Sequence, residues 1–320
     1  MKRTLSIALI TLCIMAFKPL WGFFGHQKIN RLAVFTLPPD LIGFYKKNLS
    51  YITEASVNPD KRRYAIPEEA PRHFMDVDHY SDSAFANLPH EWESARVMYP
   101  ADSLEAHGVL PWHIHRMYLR LRDAFMVRDP ASILKISAEL GHYIADAHVP
   151  LHTTKNYNGQ LTDQEGIHGL WESRLPEIFS SEYDFFVGQA QYLSSPQTTA
   201  WNIVRSSHQL VKTVLSEERR LARQYAEKRY SYETRGNTTV KVYAIDYSRA
   251  YHVALNGMVE AQMRAAVKMV GSYWLTAWID AGQPDMRKLM TYQPSAEELE
   301  RSRAELQKWK AANVHGQPHE

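Results

Sequence analysis

Histidines and carboxylates are the residues of this chain best placed to do chemistry. His142 and Asp146 stand four apart, as do His168 and Glu172, so each pair shares a face wherever its segment is helical. Pro150 should end the first of these helices and leave His152 in the turn that follows. The pairs alone carry little: with 15 His and 35 acids in 320 residues, about 1.6 such spacings arise by chance, and the chain has two. Clustering carries more. Four His fall between His142 and His168, where composition gives about 1.3. Neutral imidazole and carboxylate are donors that zinc takes at about 2.0–2.2 Å, and a catalytic zinc keeps a position for water. Two such pairs on facing helices could hold two ions about 3.5–4 Å apart, which suits in-line displacement at phosphorus. Manganese, iron and cobalt accept the same donors. The competing reading is a set of capped helices with buried, hydrogen-bonded histidines.

The elements that must position these residues read as helices. Apolar residues recur at helical spacing over Gln27 to Thr36, Pro39 to Leu49 and Trp112 to Val127. Asp129-Pro130 starts a further helix through Ile144, and Trp201 to Tyr225 and Tyr247 to Ile279 read as two long ones. Ser295 followed by Glu298 is a capping box that opens a charged terminal helix. Tyr230 to Tyr243 has strand-like or loop composition. Asn58 to Ala106, rich in Pro, Asp and His, reads as long irregular loops. The expectation is an all-α, single multi-helix domain over 21–290 with long functional loops, and a charged helix and tail over 291–320.

Composition narrows the class. A hydrophobic fraction of 45% with 12% aromatics excludes a disordered chain. A formal charge of +2 gives no global argument for nucleic-acid binding. One cysteine excludes an internal disulfide and every cysteine-based zinc site. Residues 1–20 read as a secretory signal peptide: Met1-Lys2-Arg3, then an apolar run from Leu5 to Phe17 too short to span a bilayer as a stable helix. An uncleaved anchor competes with this, because Lys18-Pro19-Leu20 lacks the usual small residues. A lipoprotein reading through Cys13 is weaker, since Leu12 stands where a small residue is expected. Cleavage before Trp21 removes Lys2, Arg3, Lys18 and Cys13, leaving 34 basic against 35 acidic residues in a periplasmic or secreted protein.

Taken with WGFFGH at Trp21, these motifs resemble the zinc-dependent phospholipase C / S1/P1 nuclease superfamily from Trp21 to about Glu177. GHYIADAHVPLH resembles its H-x3-D-x5-H signature, HGLWE its last ligand pair, and NPDKRRY and RHFMD its early-loop Asp and His. The resemblance implies three zinc ions. One would be held by Asp60, His73, His142 and Asp146. A second would be held by His152, His168 and Glu172. The third would be held by the backbone amine and carbonyl of Trp21, by His26 and by a bridging Asp146. A free amine can bind metal, whereas a peptide nitrogen has no lone pair to give, so this site requires cleavage before Trp21. A metal-activated water would attack phosphorus, with Asp60 accepting its proton or orienting it. Arg63 resembles an arginine that contacts phosphate, although a solvated Lys61-Arg62-Arg63 run is the plain alternative. Phe74, beside the metals, could stack a base or face a lipid headgroup. His79 competes with His73, which the H-F-x-D run favours. His148 matches a non-ligand, His113 and His115 should cap their helix or face solvent, and His315 and His319 lie in a polar tail.

The branch is divided. WGFFGH, the Asp60/Arg63 spacing and Phe74 look nuclease-like. The short His152-to-His168 interval, Glu172 and the missing disulfides look like phospholipase C. The expected partner is therefore a phosphodiester substrate, either a phospholipid headgroup or a single-stranded nucleic acid or 3′-nucleotide, acted on by a monomer with no stable protein partner. The non-enzyme alternative is a zinc-binding surface or lipid-binding module on the same fold.

Overall fold

A computed structural model describes residues 22–63, 65–80, 84–235 and 238–311. The expectations for residues 1–20, Trp21, His315 and His319 lie outside these residues. The described chain is mostly helical, with one two-stranded antiparallel sheet, Tyr230–Arg235 against Thr238–Tyr243.

The helix Pro130–Ala147 is the axis of the molecule. Asp129 caps its start, its Oδ1 accepting from the amides of Ala131 (3.1 Å) and Ser132 (3.3 Å). Nearly every residue from Ile133 onward is buried, because four helices pack around it: Phe23–Ala33, Leu49–Ala55, Leu110–Val127 and Met258–Asp280. Gly141 allows the first of these to come close. Asn30 lies against it and donates from Nδ2 to the Ala138 carbonyl at 2.9 Å. On another side, Trp274 donates from Nε1 to the Ser137 carbonyl at 3.0 Å and stacks on Tyr45. Four helices therefore fix the position and rotation of the segment that carries His142 and Asp146.

Several sequence expectations change in detail. The first helix begins earlier, at Phe23, and becomes a 3-10 turn over Val34–Thr36. The helix expected over Pro39 to Leu49 divides into Pro39–Lys47 and Leu49–Ala55. The long helix expected over Trp201 to Tyr225 is broken into Pro196–His208 and Val211–Tyr225. Tyr247 to Ile279 divides into Ile245–Ala254 and Met258–Asp280, because Asn256 (φ 48°) and Gly257 (φ 76°) adopt the left-handed conformation that those two residue types tolerate best. Asn58 to Ala106 is a succession of short helices rather than irregular loops, among them Asn58–Arg63, Trp92–Met98 and Ala101–Ala106. His113 neither caps nor faces solvent; it is 4% exposed and edge-on to Tyr143. His115 is half-buried. The capping box forms as expected: Ser295 Oγ accepts from the Glu298 amide (3.2 Å) and Glu298 Oε2 from the Ser295 amide (2.6 Å).

Candidate metal centre

Five short or separate segments converge on one end of the central helix. His142 and Asp146 stand one turn apart on that helix, His26 is on Phe23–Ala33 and Asp60 on Asn58–Arg63. His73 ends the 3-10 segment Pro67–Arg72, and His152 lies in the 3-10 turn Pro150–Thr153. His168 sits on Ile167–Gly169, and Glu172 on the π-turn Leu170–Arg174 that continues it. Single π-turns commonly occur at functional sites.

The donor atoms form three groups that could hold a metal ion: Asp60, His73 and His142; His26, His142 and Asp146; and His152, His168 and Glu172. In the first, His73 Nδ1 lies 3.0 Å from His142 Nε2 and 3.8 Å from Asp60 Oδ1, and His142 Nε2 lies 3.6 Å from Asp60 Oδ1. Asp146 Oδ2 joins this group, 3.0 Å from His73 Nδ1 and 3.3 Å from His142 Nε2. Tetrahedral zinc with bonds of about 2.0–2.1 Å has donor–donor edges of about 3.3–3.4 Å, so these separations match one ion. In the third group, Glu172 Oε2 lies 3.3 Å from His152 Nε2 and 2.6 Å from His168 Nε2.

Two carboxylates connect the groups. Asp146 turns Oδ2 to His73 and His142, and Oδ1 to His26 Nε2 at 3.3 Å. Glu172 turns Oε2 to His152 and His168, and Oε1 to His26 Nε2 at 3.6 Å. Sequence reasoning gave the bridging role to Asp146 alone. The backbone at Gly22 runs along the same pair: a Cβ placed there would lie 3.4 Å from Glu172 Oε1. Trp21 directly precedes it in the sequence.

The hydrogen bonds around the groups set which ring nitrogens can bind a cation. His152 donates from Nδ1 to the His73 carbonyl at 2.7 Å, and His168 from Nδ1 to the Tyr157 carbonyl at 3.1 Å. A carbonyl only accepts, so both protons sit on Nδ1. In the neutral ring Nε2 then presents a lone pair, and both Nε2 atoms face Glu172 Oε2. Burial lowers the pKa of His152, so that ring is neutral and its lone pair opposes a carboxylate. A cation between them relieves the opposition.

The rest of the electrostatics follows the same pattern. Burial pushes the Asp146 carboxyl well above its ordinary value, and the charges of Asp60 and Glu172 add to this. Asp60 is also raised by burial, against the opposing effects of His26 and Arg63. Burial holds His73 and His142 well below the usual imidazole range. The buried Asp146 and the half-buried Asp60 and Glu172, beside the neutral rings of His73, His142 and His152, make a cavity that is costly without positive charge. The donor set therefore fits a metal centre.

The accessible edge of the cluster is formed by Asp60 and Glu172, 14% and 15% exposed, with Arg63 Nη1 3.8 Å from Asp60 Oδ1. A small open pocket borders His26 and Glu172, with apolar walls that include Ile29, Val149, Val259 and Met263. Packing does not seal that side of the donors.

The remaining candidates separate clearly. Phe74 is corrected: it is 6% exposed, with its carbonyl and ring packed against Gly108, and so has no open ring face for a base or headgroup. His79 lies outside the three groups and stacks on His107. His148 also lies outside them; it donates from Nδ1 to the Ile144 carbonyl at 2.7 Å, and burial lowers its pKa to about 4. Sequence reasoning missed Glu69, fully buried behind His73. It stands four residues before that histidine, the reverse of the His-to-acid order of His142/Asp146 and His168/Glu172. A scan against protein-family models returns no match, and a search of curated proteins finds no significant match. Fold and site thus define a mostly helical protein with buried His/Asp/Glu clusters that could bind metal.

Proposed function

We propose that the protein is an exported, zinc-dependent phosphodiester hydrolase with the fold type of the phospholipase C / S1/P1 nuclease superfamily. The observation that carries the reading is the linkage of three donor groups through the two oxygens of Asp146 and the two of Glu172. Isolated structural zinc sites have no need of such sharing, whereas adjacent ions acting on one phosphate do. Asp60, His73, His142 and Asp146 hold one ion; His152, His168 and Glu172 hold a second. His26 and Asp146 hold a third, together with the amine and carbonyl of Trp21 once cleavage frees it. Zinc supplies Lewis acidity at the phosphate oxygens and lowers the pKa of a water toward about 7.

The protein's own groups do the rest. Asp60, at the accessible edge, orients the nucleophile and takes its proton. Arg63 pairs with a phosphate oxygen as charge builds, the task for which a guanidinium fork is suited. His152 and His168 are held by backbone carbonyls so that neither ring can turn away from Glu172.

The test joins metal analysis of the exported, purified protein to an assay panel of phosphatidylcholine, single-stranded DNA and RNA, and 3′-nucleotides. Zinc together with hydrolysis of one substrate class is expected, with His142→Ala and Asp146→Ala abolishing it. Zinc without turnover on any of them would favour a non-catalytic binding module instead. Mass spectrometry of the exported chain checks for Trp21 at the free N-terminus.

A further inference from the structure

We propose that Glu69 is the positioning carboxylate for His73: it holds the ring with the proton on Nε2, so that Nδ1 keeps its lone pair toward Asp60, His142 and Asp146. The inference rests on reading those residues as a metal site, and it goes beyond that reading by assigning the group that sets the histidine's tautomer.

The two faces of His73 are unequal. Nδ1 points into the donor group, 3.0 Å from both Asp146 Oδ2 and His142 Nε2. Nε2 points the other way, is buried, and has no hydrogen-bond partner. Glu69 Oε1 stands 3.7 Å from it, a few tenths of an ångström beyond hydrogen-bond length. A buried N–H is costly to leave without an acceptor, and this carboxylate is directly behind it.

Glu69 is itself fixed. It is fully buried, and its Oε2 accepts from Arg62 Nε (2.8 Å) and Arg72 Nη1 (2.6 Å). Its Oε1 accepts from Arg62 Nη2 (3.1 Å) and from the Tyr143 hydroxyl. Arg62 is pinned further by Glu139 Oε1 at 2.9 Å and lies under the ring of Trp309. Two guanidinium groups and a phenol thus hold the carboxylate in place, with Oε1 on the side of His73 Nε2. Metal-binding histidines usually give their second N–H to a carboxylate or carbonyl, which orients the ring and strengthens it as a donor. His152 and His168 use backbone carbonyls for this; His73 has Glu69.

Glu139→Gln is the control for Glu69→Gln. It removes the other buried carboxylate on Arg62 without touching His73. Long-range 1H–15N spectra, with the His73 signals assigned by a His73→Asn variant, report the tautomer. Chelator competition reports zinc affinity. In the wild-type zinc-loaded protein the proton should sit on Nε2 of His73. Glu69→Gln should weaken the tightest zinc site by about ten- to hundredfold, whereas Glu139→Gln should stay within about threefold of wild type even if both variants lose thermal stability. A His73 bound through Nε2, or equal affinity losses in the two variants, overturns the proposal. If Glu69→Gln does not fold, the wild-type spectrum decides. If the wild-type protein binds no zinc, the metal reading fails separately; the metal-free spectrum then still tests Glu69, because an Nε2 proton unaltered in Glu69→Gln contradicts its role.

Discussion

Arg63 carries the sharpest residue-level expectation. It sits on the short helix Asn58–Arg63, its Nη1 3.8 Å from Asp60 Oδ1 at the accessible edge of the cluster, and it supplies no donor to any of the three metal groups. Arg63→Ala should lower kcat/KM by about 10²–10³-fold while leaving zinc content unchanged. Steady-state kinetics and metal analysis on one preparation check this; zinc loss would make Arg63 structural instead. Much of the donor set was legible at this scale. His142/Asp146 and His168/Glu172 were visible as helical spacings, whereas His26, Asp60 and His73 stood out only through the order of motifs along the chain. Burial was not legible. Phe74 reads as a free aromatic until Gly108, from a distant segment, packs on it. His113 reads as a helix-start residue until Tyr143 covers it. Glu69 escaped notice because its chemistry depends on which way His73 turns.

Among the elements, the contact between Phe23–Ala33 and the central helix sets how far His26 stands from Asp146. The helices approach closely at Gly141: a Cβ there would come 2.1 Å from Oδ1 of the buried Asn30. Asn30 cannot move aside without giving up its bond to the Ala138 carbonyl. Gly141→Ala should therefore cost about 1–3 kcal/mol and weaken zinc binding at the His26 side, read by thermal unfolding and zinc titration of the same variant. Unchanged binding with lowered stability would separate the helix contact from the site. Helical periodicity predicted the long elements but not their interruptions. Apolar spacing continues across Gln209–Leu210, so nothing in the pattern marks that break. Asn256-Gly257 did carry a turn signal, hidden by the apolar runs on either side. Between the short helices of Asn58 to Ala106 the chain is held by tertiary anchors such as the Met75 amide on the His152 carbonyl (2.9 Å), which no local pattern reveals.

For the molecule as a whole, buried neutral histidines make stability depend on pH. Burial holds His113 well below the usual imidazole range, reinforced by Arg72 and Arg116, and lowers His148 to about 4. In the unfolded chain both titrate near 6.5. Below that pH the unfolded chain binds more protons than the fold does, so the stability these groups contribute is complete above about 6.5 and is lost as pH falls. Between pH 6.5 and 5 a histidine held at about 4, as His148 is, accounts for about 2 kcal/mol. His113→Leu should thus lose stability less steeply than wild type between pH 7 and 5 in urea unfolding; parallel curves would contradict this. The proposal of zinc chemistry at a shared carboxylate is tested most directly by the zinc content of the exported protein beside Asp146→Asn. About three zinc ions per chain are predicted, falling to about one in Asp146→Asn as the two ions sharing that carboxylate are lost. Wild-type protein without zinc, or equal zinc in the two, would contradict the account.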